Sequence, residues 1–198
     1  MKIRLIILAL LLPVLVLTAA SPKENVKTDF TNYINHLVKL EFEESVEYLY
    51  PELFNFVPKA QMISTMEQTF NNPDITINLS NPQVRNVGEV RKIDTAYFCL
   101  INYSHKMNMR FAADTANTKD DIKLRDELTL SNLQSNFGEV NVTYDSTDSS
   151  FDILSIKDSY AKSDNGTTDW KFIDIDTKQM MFLNALLPKQ LVDELTAE

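Results

Sequence analysis

The chain has 198 residues and a net charge of −9, and 44% of its residues are hydrophobic. This composition is typical of a globular protein, and the acidic balance disfavours nucleic-acid binding, which needs Lys and Arg at the phosphates. Gly88, Gly138 and Gly166 are too far apart for a Walker loop or a dinucleotide-binding fingerprint. A single cysteine, Cys99, and two histidines exclude an intrachain disulfide, a thiolate zinc cluster and a three-histidine metal site. We therefore expect no cofactor and no metal.

Residues 1–20 have the pattern of a secretory signal peptide. Lys2 and Arg4 precede an apolar run over 5–17, and small residues follow at 18–20. A membrane span needs about 18 or more apolar residues, so this run is short for one. We expect cleavage before Ser21, with an uncleaved signal anchor as the alternative. Loss of the two basic residues changes the net charge from −9 to −11. The expected product is a single secreted or periplasmic domain, 21–198, with no stable membrane insertion.

The first part of this domain is predicted to be helical. Ser21 is a capping residue and Pro22 follows at the first helical position. Apolar residues then recur at helical spacing, at Val26, Phe30, Tyr33, Ile34 and Leu37. Further helices are expected over 43–50 and from Pro58 to Phe70, where an Asn-Asn-Pro-Asp sequence ends the pattern.

The middle of the chain changes to the alternating pattern of strands. A short strand is expected at 75–78 and a further strand at 83–91, and a long strand is predicted over 94–111. Phe98 and Leu100 lie on the opposite face of this strand from Tyr97, so its start is predicted to be buried on both faces. One face of this strand carries Tyr97, Cys99, Ile101, Tyr103, His105, Met107, Met109 and Phe111.

The last third combines a helix, a hairpin and a helical tail. A helix is expected over 120–137 with Gly138 as its C-terminal cap. Residues 163–167 are predicted to form a hairpin turn, because Asn165-Gly166 tolerates positive φ. Strands are predicted around these features at 140–144, 151–161 and 170–175. Helices are predicted at 178–186 and 188–196.

This order of elements predicts an α+β domain, in which N-terminal helices pack on an antiparallel sheet. The long strand with a Tyr-rich face and the final Asp169-Trp170-Lys171-Phe172-Ile173-Asp174 hairpin resemble the nuclear transport factor 2-like superfamily. The resemblance covers residues 24–176 and is nearest to uncharacterised, exported bacterial members. It implies a cystatin-like cone, here with an inserted helix and a C-terminal helical tail. An interior pocket would lie between the curved sheet and the helices.

The predicted pocket is lined by residues of the long strand and of the last hairpin. His105 can act as a hydrogen-bond donor, an acid or a base near neutral pH, although a core histidine bonded to a tyrosine fits the same pattern. The methionines fill a core or form an adaptable binding surface. The expected lining is Tyr97, Tyr103, His105, Met107 and Trp170.

Three classes of function remain open at this point. We rank first a non-enzymatic, exported binding module that takes a small apolar or amphipathic ligand in the pocket. The second is a structural or interaction protein that forms a homodimer through an exposed sheet face and has a filled interior. The third, ranked last, is an isomerase-like enzyme with Tyr97 or Tyr103 as donor and Asp152 or Asp158 as base, if that carboxylate faces inward. No residue matches a family catalytic motif.

Overall fold

A computed structural model describes residues 21–112 and 118–197. The predicted signal peptide lies outside these residues, as does most of the loop expected at 112–118. The structure confirms the α+β class: helices at both ends of the chain flank an antiparallel sheet that does not close. The helices are α1 (Pro22–Val38), α2 (Phe42–Val46), α3 (Lys59–Phe70), α4 (Lys119–Phe137), α5 (Met180–Leu186) and α6 (Lys189–Thr196). The strands are β1 (Ile75–Val87), β2 (Arg91–Ile93), β3 (Ala96–Phe111), β4 (Val142–Asp145), β5 (Ser150–Ser163) and β6 (Lys171–Asp174).

Two long strands, β3 and β5, form the centre of the sheet. They pair along 14 residues, from Tyr97 opposite Ser163 to Arg110 opposite Ser150. β1 and β2 pair with the other edge of β3, and β4 and β6 pair with the other edge of β5. β4 pairs with residues 150–153 and β6 with 159–162, so β5 has no described strand partner over 154–158 on that edge.

The local signals of the sequence explain where several elements begin and end. The Ser21 hydroxyl accepts a hydrogen bond from the backbone N–H of Glu24, which caps α1. Thr118 and Asp121 form a reciprocal capping box at the start of α4. The turn between β5 and β6 has Gly166 at φ 74°, and a Cβ there would come within 2.7 Å of the Tyr97 ring. Only glycine fits this close approach.

Some predicted boundaries were wrong. α2 ends at Val46, before the expected residue 50. The two strands expected at 75–78 and 83–91 are mostly one strand, β1, which register shifts interrupt beside Gln83 and Asn86. Such shifts insert extra residues and bend a strand without ending it. Val140 is exposed in a 3-10 turn, and β4 starts only at Val142.

The two faces of the sheet are covered differently. We call the face that carries Ile101 and Tyr103 the inner face. α1 packs on the middle of this face and α4 on one end, forming two apolar clusters. α5 and α6 cover the opposite, outer face only at the end near Phe98 and Tyr160. The rest of the outer face is open in the described structure, and Leu100 is 40% exposed there. The expectation that β3 starts buried on both faces was therefore wrong at Leu100.

Candidate functional site

The residues predicted to line a pocket do lie on the inner face, but most of them belong to packed clusters. Tyr103 and Trp170 are buried in the cluster under α1, and Tyr97 packs at its border. The Phe30 ring from α1 lies 4.8 Å from the Tyr103 ring. Met107 packs in the separate cluster under α4. The interior between α1 and the sheet is thus occupied by side chains at the places where the prediction put the ligand. The pocket itself stays a prediction.

His105 lies beside Tyr103 on the inner face, between these two clusters. The two rings are stacked with their centroids 6.1 Å apart. His105 is buried, and its Nδ1 has no hydrogen-bond partner in the part of the chain that the structure describes. Burial and the charge of Lys157 lower the pKa of His105 below its ordinary value, while Asp174 acts in the opposite direction. The imidazole is therefore neutral at neutral pH.

Tyr103 connects this histidine to a charged pair that the sequence did not reveal. Its hydroxyl donates to Asp174, at 2.9 Å from Oδ1 and 2.8 Å from Oδ2. The Lys157 Nζ lies 3.3 Å from Asp174 Oδ2. Burial, reinforced by Asp174, raises the pKa of Tyr103 well above its ordinary value, so the phenol remains a donor. We call Tyr103, His105, Ser155, Lys157 and Asp174 the polar cluster.

The register of the sheet assembles the polar cluster from three strands. Tyr103 lies opposite Lys157, and His105 lies opposite Ser155, across β3 and β5. Asp174 is the last residue of β6, opposite Ser159. Directly opposed residues point to the same face of a sheet. No pattern in the sequence around His105 predicts that Asp174 lies near it. Their proximity depends on pairing between strands that are far apart in sequence.

A groove of about 620 Å³ runs from the outer face around the free edge of β5 to the polar cluster. We call it the outer groove. Its apolar wall is formed by Leu100, Ile156 and Leu195, and Lys157 and Asp174 lie at its inner end. A second groove of about 410 Å³ continues along the outer face past Leu154 and Lys106. Leu154 and Ile156 are 38% and 40% exposed, so β5 presents aliphatic surface to both grooves.

The residues expected for isomerase chemistry are not brought to one cavity. Asp152 and Asp158 are exposed on the outer face, where each accepts a hydrogen bond from an asparagine on β3. Tyr103 points to the inner face, so neither carboxylate faces inward with this donor. An isomerase needs its base and its hydrogen-bond donor at the same substrate.

Two further titratable side chains, Cys99 and His36, lie outside the outer groove. Cys99 is buried, and burial raises the pKa of its thiol to about 11, which makes it a poor nucleophile. His36 contacts Glu41 through Nδ1 at 2.7 Å at the end of α1. Among residues 21–112 and 118–197, no group of three or more His, Cys, Asp and Glu side chains could hold a metal ion. No helix within the same ranges is long and apolar enough to cross a membrane.

Comparison with protein-family models, with characterised proteins and with solved structures gave no match to this chain. The resemblance to the nuclear transport factor 2-like superfamily therefore stays a prediction from the sequence.

Proposed function

We propose that this protein is an exported, non-enzymatic binding module that takes a small amphipathic ligand in the outer groove. One observation carries the proposal: aliphatic side chains remain exposed along a groove that ends at a charged and hydrogen-bonded cluster. Leu100 and Ile156 are each 40% exposed, although the same two strands bury Ile101, Tyr103 and Ile153 on the inner face. Concave sites with apolar walls and a few convergent polar groups are typical of ligand binding.

The chemistry of the groove favours binding over catalysis. Asp174 is already bound by the Tyr103 hydroxyl and by Lys157, so its carboxylate is engaged as an acceptor. The imidazole beside it is neutral and buried. These groups can fix the orientation of a bound molecule through hydrogen bonds, and the apolar wall supplies the hydrophobic contribution.

Native mass spectrometry of the full chain, expressed with its leader, recovered after export and never denatured, tests this proposal. We expect a mass excess that disappears on unfolding, because a ligand acquired in the cell is retained. The double variant Leu100→Ser, Ile156→Ser should lose the excess. Leu128→Ser is the matched control, since Leu128 is 63% exposed on α4, away from the groove. A wild-type protein without any excess, or an excess that survives the double variant, would contradict the proposal.

A homodimer formed through the outer face is the second candidate. It is supported by the row of exposed aliphatic side chains on a sheet face that helices leave open, since such patches often mark protein interfaces. The same spectra distinguish it from ligand binding. A mass of twice the chain, lost in the Leu100→Ser, Ile156→Ser variant and without a small-molecule excess, would favour the dimer.

A further inference from the structure

The strand β1 leaves a long edge of the sheet open. It pairs with β3 on one side, and its other edge has no strand partner among the residues that the structure describes. β1 has 13 residues, whereas β2 and β4, which also pair on one side only, have 3 and 4. Natural sheets usually keep their open edges short, because a long one can pair with another chain. The length of β1 therefore requires an explanation.

The hydrogen-bond pattern shows which main-chain groups of β1 point to this open edge. The Ala112 N–H donates to the Asp74 carbonyl at 2.8 Å, next to the first paired residues of the two strands. Bonded residues alternate along an antiparallel strand, and the register with β3 is regular over 75–80. The residues that bond β3 are therefore Thr76, Asn78 and Ser80. The N–H and C=O groups of Ile77 and Leu79 point away from β3, and no described group hydrogen-bonds them.

The same segment is uncharged, and its inner side is apolar. Between Asp74 and Arg85, ten consecutive residues carry no charge. Ile75, Ile77 and Leu79 lie on the inner face of β1, and all three are only half-buried. Two copies of a chain with a net charge of −9 repel each other over most of their surfaces. An uncharged edge with unpaired main-chain groups is where a second copy approaches with the least repulsion.

We propose that two copies of this chain pair along β1, antiparallel and centred on Ile77, to form one continuous sheet. This inference goes beyond the proposed function and does not involve the outer groove. A two-fold axis at Ile77 sets Ile75 opposite Leu79 of the second copy. The two Ile77 residues then exchange main-chain hydrogen bonds, and each Leu79 N–H donates to the Ile75 carbonyl across the interface. The Ile75 N–H already donates to the Asn72 carbonyl.

Local features limit this pairing to residues 75–80. Asn81 has φ 50°, and Pro82 has no N–H to donate. The register with β3 also shifts between Ser80 and Gln83, and such a shift bends the strand. The interface is therefore short, and we expect a dimer that dissociates on dilution.

Sedimentation equilibrium of the exported protein measures the assembly, and amide hydrogen exchange measures the pairing. We expect a monomer–dimer equilibrium in which the Ile77 and Leu79 amides are protected in the dimer. Dilution should make both amides exchange faster. The amides of Asn78 and Ser80 are internal controls, because they bond β3 in both states and should stay protected.

Two variants of β1 should weaken the dimer for different reasons. Ile77→Pro removes an N–H that the monomer does not use, and the dimer should dissociate about 25-fold more readily, since each of two lost hydrogen bonds contributes about fivefold. Thr76→Glu with Asn78→Glu keeps every main-chain group and sets like charges opposite each other across the interface. Thr143→Glu is the matched control, because Thr143 is an exposed strand residue on β4, at the other side of the sheet. It should leave the dimer unchanged.

The double variant Leu100→Ser, Ile156→Ser should also keep the dimer, which distinguishes pairing along β1 from association through the outer face. A wild type that stays monomeric at all concentrations would overturn this inference. So would a dimer that survives both β1 variants, or exchange at Ile77 that does not change on dilution. The mass excess that tests ligand binding should be the same in the β1 variants as in the wild type, so this inference can fail while the proposed function stands.

Discussion

The inner and outer faces of β3 and β5 belong to the same two strands, yet their apolar side chains differ in burial. On the inner face, Ile101 and Tyr103 are buried under α1. On the outer face, Leu100 and Ile156 are equally apolar or more so, and both remain exposed. Alternation in a sequence shows which residues share a face, but it does not show which face a helix covers. The exposed apolar side chains are therefore the better guide to function.

The largest expected contrast between the faces is in stability. Phe30→Ala removes a fully buried ring from the contact between α1 and the inner face. Such truncations lower the free energy of unfolding by about 3–5 kcal/mol. Ile156→Ala on the outer face should cost less than about 1 kcal/mol, because the side chain is already 40% exposed. Urea denaturation of both variants measures the contrast, and equal losses would remove the distinction between the two faces.

A smaller loss of stability is expected when the hydrogen bond between the Tyr103 hydroxyl and Asp174 is removed. Tyr103→Phe leaves the ring in place but removes the donor to Asp174. Hydrogen bonds to charged groups contribute about 1.5–3 kcal/mol, and the partial exposure of Asp174 places this one at the lower end. Chemical denaturation gives the loss. In a double-mutant cycle with Asp174→Ala, which removes the acceptor, the two losses should not add, and strict additivity would show that the bond contributes nothing.

The stability of the protein should decrease at acidic pH because of the buried His105. Its folded pKa is lowered by burial and by Lys157, whereas the unfolded imidazole has its ordinary pKa of about 6.5. As the pH falls below about 6.5, the unfolded state gains a proton that the folded state resists, so stability decreases. The decrease continues down to the folded pKa. His105→Gln should lack this component, and an imidazole titration by NMR with a midpoint at or above 6.5 would contradict the assignment.

The smallest stability effect is expected for the variant that should most affect binding. Leu100→Ser with Ile156→Ser changes side chains that are 40% exposed, and surface substitutions usually stay within about 0.5 kcal/mol each. Thermal unfolding of ligand-free protein should therefore be close to that of the wild type. A loss of several kcal/mol would show that these residues belong to the core and would break the comparison between the faces.

Features that depend on neighbouring residues could be predicted from the sequence. The Ser21 cap, the positive φ of Gly166 between β5 and β6, and the alternation of β3 all have local physical causes. The exposure of Leu128 on α4 could not be predicted, because apolar spacing does not say whether a partner covers the helix. The predicted strand at Val140 failed for a similar reason, since its alternation with Val142 does not fix where β4 pairing begins.

The candidate site could be predicted only in part. Tyr103 and His105 were identified from the alternation of one strand. Ser155, Lys157 and Asp174 join them through the register of β5 and β6, which are more than 45 residues away in sequence. A one-residue change in that register would place all three on the other face. The outer groove also depends on the interval between β4 and β6 along β5, which no local signal encodes.

Methyl NMR during titration with 1-octanol is the most direct test of the claim that the ligand binds on the open side of the sheet. We expect shift changes at the methyl groups of Leu100, Ile156 and Leu195, which line the outer groove. Val26 and Ile34 of α1 and Ile101 of the inner face should not shift, because they are packed together in the core. Changes confined to Val26, Ile34 and Ile101 would place the ligand in an interior pocket and contradict the account.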